Sequence, residues 1–432
     1  MLTAILTFAL SQLPPVSGQP LRLDDGCART GGRCQTQRNG RPGGSLAFFE
    51  FAPASGAGMG SACACTTPTG AKGEALTFTR TGDATCSRSG LATTGIQNGD
   101  LMVCTANQPR VEPSGGVLGL RVEGARTNDL VRTQEFNNAA WIDDVSVTAA
   151  ATRTANFAIA PDGTLTADRL QFPGPAAATN YSSIRQPQSG GLRAASVYVR
   201  GNGTSGVVYI TQNAASTCTA CAFNDSSWSR CVNVDTSTNW YIGNFSGFTC
   251  NGGGAQPAID ILVWGAQSEV GAYATSYIPT VASAATRNAE TTSLTSVVLP
   301  LTGSVAATTQ RPYGNALAPN QTLVDALVST SSGWRFSFVS SQLRIEKGGP
   351  LNSLGAATTW AAGDAPRWAA SFGGVNATVF VNGVVLTGPS ALGGFTAPTY
   401  TPVALGWDHQ GFASFDGIIS RVCVDPDPNR CR

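Results

Sequence analysis

The sequence predicts an all-β protein built from antiparallel β-sandwiches behind a small cysteine-rich N-terminal region. Three observations carry that expectation. Apolar runs are short and alternate with polar residues; glycine, proline, asparagine and serine bound nearly every run; and no long stretch repeats apolar residues at helical spacing. The 432 residues leave room for roughly two to four units of about 100–200 residues each. Glycine (50) and proline (24) follow no three-residue period, which excludes collagen, and 42% hydrophobic against 12% charged residues excludes a disordered chain.

Element by element, Leu46–Phe51, Ala75–Thr79 and Asp100–Cys104 read as strands of the N-terminal region. Ala195–Arg200, Gly206–Thr211, Trp240–Phe245 and Ala258–Trp264 read as strands of a middle sandwich, with Gly201-Asn202-Gly203 as a turn between two of them. Thr280 to Thr295 is rich in Ala, Ser and Thr and lacks aromatics, which sets a domain join near residue 290. Beyond it Trp334–Phe338 and Leu343–Glu346 alternate with a period of two. Ala377–Val381 then runs into Asn382-Gly383 and returns as Val384–Thr387, the pattern of a hairpin with a type I′ turn. Asp416–Val424 reads as a closing strand. The expected division is a signal peptide over 1–18, a cysteine-rich β region over 19–115, and sandwiches over 116–290 and 291–432.

The twelve cysteines fall into three local groups: Cys27, Cys34, Cys63, Cys65, Cys86 and Cys104; Cys218, Cys221, Cys231 and Cys250; Cys423 and Cys431. Each group is even and can close on itself as disulfides. The middle four have zinc as a rival reading, because four thiolates can hold that ion. Leu2–Leu10, Pro14-Pro15 and Val16-Ser17-Gly18 form a short apolar stretch followed by small residues, the layout of a secretory leader. A secreted, extracellular chain is the expectation, and no stretch is long and apolar enough for a membrane span. The net charge of +1 and the lack of a basic patch argue against a nucleic-acid partner. His409 is the sole histidine, so paired-histidine metal sites are excluded, and so is a serine or cysteine triad that does not use it.

Several blocks resemble a family of bacteriophage tail-fibre and minor tail proteins and their bacterial relatives. They are Leu76–Thr85, Gln108-Pro109-Arg110, Gly119–Asn128, Asn128-Asp129-Leu130 with Phe136 and Trp141, Ala160–Leu170, Trp264–Ala272 and Thr275–Thr280. The resemblance spans about residues 75–290 and implies a jelly-roll carbohydrate-binding module. Residues 291–432 are similar to concanavalin A-like (laminin G-like) sandwiches, through Phe380–Val384 and Phe415–Val422. The leader and the cysteines depart from the phage pattern and suit an exported protein better than a virion tail part.

These resemblances imply non-catalytic binding of glycans or cell-surface polysaccharide, with a phage-tail-derived structural fibre or adhesin as the alternative and a homo-oligomer as a further possibility. Sugars need flat apolar faces beside amides and carboxylates. Trp228, Trp240 and Tyr241 in the middle unit, and Trp360, Trp407, Asp408 and His409 in the last, offer that mixture. Trp407-Asp408-His409 is the first choice, because it follows an apolar run and belongs at a strand end. Trp264, Trp334 and Trp368 sit in alternating runs and read as core. No catalytic residue is assigned: a polysaccharide hydrolase or lyase on such a scaffold needs paired carboxylates on one strand, and Asp143-Asp144, being adjacent, face opposite ways. No cofactor is assigned beyond a structural calcium, whose positions by resemblance are Glu135 and Asp260.

Overall fold

The computed structural model describes residues 47–50 and residues 76–431 apart from 115, 147–148, 178–179, 213–217, 247–249, 251–254, 295–301, 318–319, 327–332, 340, 348–351, 374–375, 393–402, 409–413 and 430. The expected leader, Cys27, Cys34, Cys63, Cys65 and His409 lie outside these residues. The regular structure is almost all β, with one 3-10 turn at Asn315–Leu317.

Two large antiparallel sheets form an outer sandwich. Sheet I runs in the order Val384–Ala391, Asn376–Val381, Arg367–Gly373, Gly303–Gln310, Gly417–Asp425, Val117–Val122 and Arg110–Ser114, with Ala47–Glu50 also pairing to Gly417–Asp425. Sheet II runs Leu76–Thr79, Thr291–Leu294, Val403–Leu405, Gln321–Asp325, Trp334–Val339, Gln342–Lys347 and Asn352–Ala357. Successive side chains on a strand point to opposite faces. Trp334, Phe336 and Phe338 therefore enter the core with Trp360 and Trp368, while Arg335 turns outward to Glu346 at 2.7 Å. The hairpin at Asn382-Gly383 has φ of 51° and 80°, the positive values a type I′ turn requires.

Sheets III and IV form an inner sandwich of five strands each. Sheet III runs Ser229–Thr236, Leu192–Gly201, Ile259–Val270, Ala167–Phe172 and Thr152–Ala158. Sheet IV runs Cys218–Phe223, Gly206–Thr211, Asn239–Phe245, Tyr181–Pro187 and Ile142–Ser146. Their facing sides bury Val197, Val199, Ile184, Ile242, Ile261 and Trp240. Cys221–Cys231 staples the edge strand of one sheet to that of the other.

The order of these parts along the chain differs from three consecutive units. Leu76–Thr79, Arg110–Ser114 and Val117–Val122 are strands of the outer sandwich, and the inner one is inserted after them. The expected boundary at 115/116 falls inside a hairpin, since Arg110–Ser114 pairs with Val117–Val122 and the latter with the final strand. Pairing across some three hundred residues leaves no local mark in composition. The two chain crossings between the sandwiches, Arg126–Asn128 and Ala285–Arg287, pair with each other as a two-stranded stem.

Candidate functional site

Three places concentrate chemistry: the joint around the stem, the aromatic positions expected to meet a ligand, and the outward face of sheet IV.

At the joint, Arg80, Arg110, Arg121, Arg126 and Arg287 meet Glu112, Glu123, Glu269, Glu290 and Asp416. Glu290 accepts from Arg80 Nη1 at 2.7 Å, Arg110 Nη2 at 2.6 Å and the backbone N–H of Glu123 at 2.9 Å. Glu123 accepts from Arg110 Nη2 at 2.7 Å and Ser276 Oγ at 2.6 Å, and lies 2.9 Å from Arg287 Nη1. Arg121 Nε donates to Glu112 at 2.6 Å. Asp416, on the far sandwich, accepts from Tyr273 and the backbone N–H of Gly124 and pairs with Arg126 at 3.0 Å. Burial opposes ionisation of Glu123, but Arg287, Arg110 and Arg121 hold its pKa well below the ordinary value; burial dominates at Glu112 and Glu269 and raises theirs. Arg80, Arg110, Arg121, Glu123, Arg126, Glu269 and Ser276 belong to the blocks singled out in the sequence. In this molecule those blocks weld two sandwiches together: the charges are matched, buried and turned on one another, so they offer little to a ligand.

Most of the tryptophans expected at a ligand are core residues. Trp228 and Trp240 are fully buried; the indole N–H of Trp228 donates to Asn98, and Trp240 packs edge-on against Trp141. Trp360 is buried against Phe338 and Trp368, with Arg311 over its ring at 4.5 Å and its N–H donated to Tyr313 O. None of the three presents a ring to solvent. Sandwich interiors need large flat side chains, and a period of two does not say which face is outside. Trp264, Trp334 and Trp368 are buried as well. Trp407 does lie just past a strand end, after Gly406 with φ of 72°, and is half-buried with its N–H donated to Thr292 O at 2.7 Å. Asp408 is buried 3.6 Å from Arg335.

Glu135 pairs with Arg132 at 3.1 Å, and Asp260 is held by Arg169, with Gln171 and Asn202 nearby. Each carboxylate already has a cation or amide partner, and among the described residues no group of three or more potential metal ligands occurs. Cys218 is bonded to Cys250, Cys221 to Cys231, Cys86 to Cys104 and Cys423 to Cys431.

On the outward face of sheet IV the register sets side chains in rows. Ile142, Arg185, Tyr241, Thr211 and Cys218 form one row; Asp144, Ser183, Gly243, Tyr209 and Ala220 the next; Ser146, Tyr181 and Phe245 the third. Tyr181 stacks on Phe245 at 5.5 Å and its hydroxyl donates to Asp144 at 3.0 Å. Arg185 Nε pairs with the same carboxylate at 2.9 Å, and its Nη1 donates to Asn239 at 2.9 Å. Burial, then the Asp144 hydrogen bond, pushes the Tyr181 hydroxyl up to about 12; burial and the same carboxylate raise Tyr241. A Cβ at Gly243 would lie 2.4 Å from that of Ser183, so glycine is required for this close strand approach. Tyr181, Arg185 and Tyr241 are half-buried. Phe245, Tyr209, Thr211 and Ser183 on the same face are buried, so what reaches solvent is the edge of Tyr181 and Tyr241 around a charged, hydrogen-bonded pair. Of these residues only Tyr241 was legible as a candidate. Asp143 and Asp144 face opposite ways as expected, Asp143 to Arg153 on sheet III and Asp144 to this surface.

No protein-family model matches the chain, and no curated protein matches it. Among solved structures it is similar to domains LG4-5 of the mouse laminin alpha1 chain, at 11% identity, covering 63% of this chain and 89% of that one, with a TM-score of 0.22. So distant a likeness carries nothing about ligand or activity. Among the described residues no helix is long and apolar enough to cross a membrane.

Proposed function

We propose that this is a secreted, non-catalytic glycan-binding protein whose ligand surface is the outward face of sheet IV. The observation that carries the reading is the register that sets Tyr181 and Tyr241 beside the Arg185–Asp144 pair, all four half-buried, on the side of sheet IV turned away from Ile184 and Ile242. Aromatic rings there offer stacking surface to sugar C–H groups, and the ion pair offers donors and acceptors to hydroxyls. The disulfides support an oxidising compartment. Trp407 remains a second contact point, at the end of a sheet II strand. A glycan array followed by titration of the best hit tests the reading: Tyr241→Ala is expected to weaken binding with an unchanged unfolding transition, and equal binding by the variant contradicts it.

A further inference from the structure

The loop 88–100, closed at its base by Cys86–Cys104, lies along the edge strand Ser229–Thr236. Ile96 and Trp228 exchange backbone hydrogen bonds, and the backbone N–H of Arg230 donates to Thr93 O at 2.7 Å. Between this loop, the outward face of sheet III and the joint remains a cleft of about 440 Å³, within the roughly 300–1,000 Å³ typical of small-ligand sites. Leu91, Val232 and Val234 give it apolar walls, and the hydroxyl side chains of Ser87 and Thr93 also line it.

Three charged side chains line the cleft, and two cancel: Arg121 is paired with Glu112 at 2.5 Å. Arg230 is different. Its guanidinium lies 5.4 Å from the centre of the Tyr198 ring, and its Nη2 donates to Ser196 Oγ at 3.1 Å. Its buried Nε has no hydrogen-bond partner, and it takes part in none of the ion pairs among the described residues. Glu269, the acid whose ionisation Arg230 influences, is hydrogen-bonded to Thr275 and Gln267 instead. Other arginines, Arg126 and Arg287 among them, also leave a buried Nε without a partner, so what sets Arg230 apart among the charged side chains of the cleft is that it has no carboxylate partner.

We propose that this cleft binds the carboxylate-bearing end of a saccharide, with Arg230 taking the carboxylate, the valine and leucine walls taking the ring, and the hydroxyl side chains taking ring hydroxyls. One surplus cation calls for one anionic group, and apolar walls with scattered hydroxyls suit a polyhydroxylated ring better than a fully charged ligand. This site is separate from the tyrosine face and stands without it.

Calorimetric titration of the full chain with methyl β-glucuronide and with methyl β-glucoside tests the proposal. The glucuronide is expected to bind at least about tenfold tighter, the factor one charge-assisted hydrogen bond supplies. Arg230→Gln is expected to erase that preference, and Val384→Thr, on the exposed hairpin of sheet I, to keep it. The wild-type preference needs no variant, so a misfolded Arg230→Gln does not leave the proposal untested. Equal binding of both sugars, no binding of either at millimolar concentration, or a preference that persists in Arg230→Gln overturns it; the last result places the acidic sugar outside this cleft.

Discussion

The joint and the outward face of sheet IV use the same side-chain chemistry to opposite ends. Both pair arginine with carboxylate and both include tyrosine. At the joint, Glu290 and Glu123 are fully enclosed and each carboxylate is held by several donors from within the protein. On sheet IV, Arg185 and Asp144 are partly exposed, with side chains about one quarter accessible to solvent, and stand beside the half-buried rings of Tyr181 and Tyr241. The lesson is that burial, more than residue type, separates an ionic weld from a recognition surface. A buried pair contributes through what its loss would uncover, whereas an exposed pair contributes little stability and keeps capacity for a ligand.

The largest expected effect breaks the weld. Glu290→Gln removes the charge shared by Arg80 and Arg110 and is expected to destabilise the protein by about 3–5 kcal/mol, the cost of leaving a buried charge uncompensated. Urea denaturation reads this directly, and a change below about 1 kcal/mol, the range of exposed pairs, would put the joint in the same class as the surface.

Next in size is the contrast between Trp360 and Trp407. Trp360→Ala is expected to cost about 3–5 kcal/mol, because it empties core volume and strips a ring from Arg311, whose pKa burial lowers to about 10. Trp407→Ala, at a half-buried position, is expected to cost less. Paired thermal melts rank the two, and the reverse order contradicts their placement.

The pH response sharpens the comparison on a smaller scale. Glu123 has a folded-state pKa below its ordinary value of 4.5, so its contribution is present above about that pH and is lost as pH falls from there through the folded value. Glu112 and Glu269 have raised values, so their contribution is greatest in acid and fades as pH rises through the folded value. Stability is therefore expected to hold or rise slightly from about pH 7 to 5 and to fall only below about 4.5. Denaturation midpoints across that range check it, and a steep loss already by about pH 6 would contradict the sign at Glu112 and Glu269.

The strands were legible in the sequence, and their partners were not. The Asn382-Gly383 hairpin is local, and two adjacent residues specify it. The membership of Arg110–Ser114 and Val117–Val122 in the outer sandwich depends on pairing with the final strand across a whole inserted unit, which no window of sequence contains. The same limit governed the candidate site. Tyr241 drew notice beside Trp240, yet the alternation that sends Trp240 inward is what sends Tyr241 outward, and Tyr181, Arg185 and Asp144 join it only through strand register. The resemblance blocks were legible as words, but the buried ionic cluster they form became visible only when their charges were seen facing one another.

The central claim is that the outward face of sheet IV binds glycan while the buried ion pairs of the joint hold the sandwiches together. Titration of the best array ligand against the wild type and Tyr241→Ala, with thermal unfolding of both, tests it most directly. The account predicts that the variant loses about 1–2 kcal/mol of binding, the order of an aromatic stacking contact, with a melting temperature close to that of the wild type. Unchanged affinity, or a loss of affinity that appears only together with a collapse in melting temperature, would contradict it.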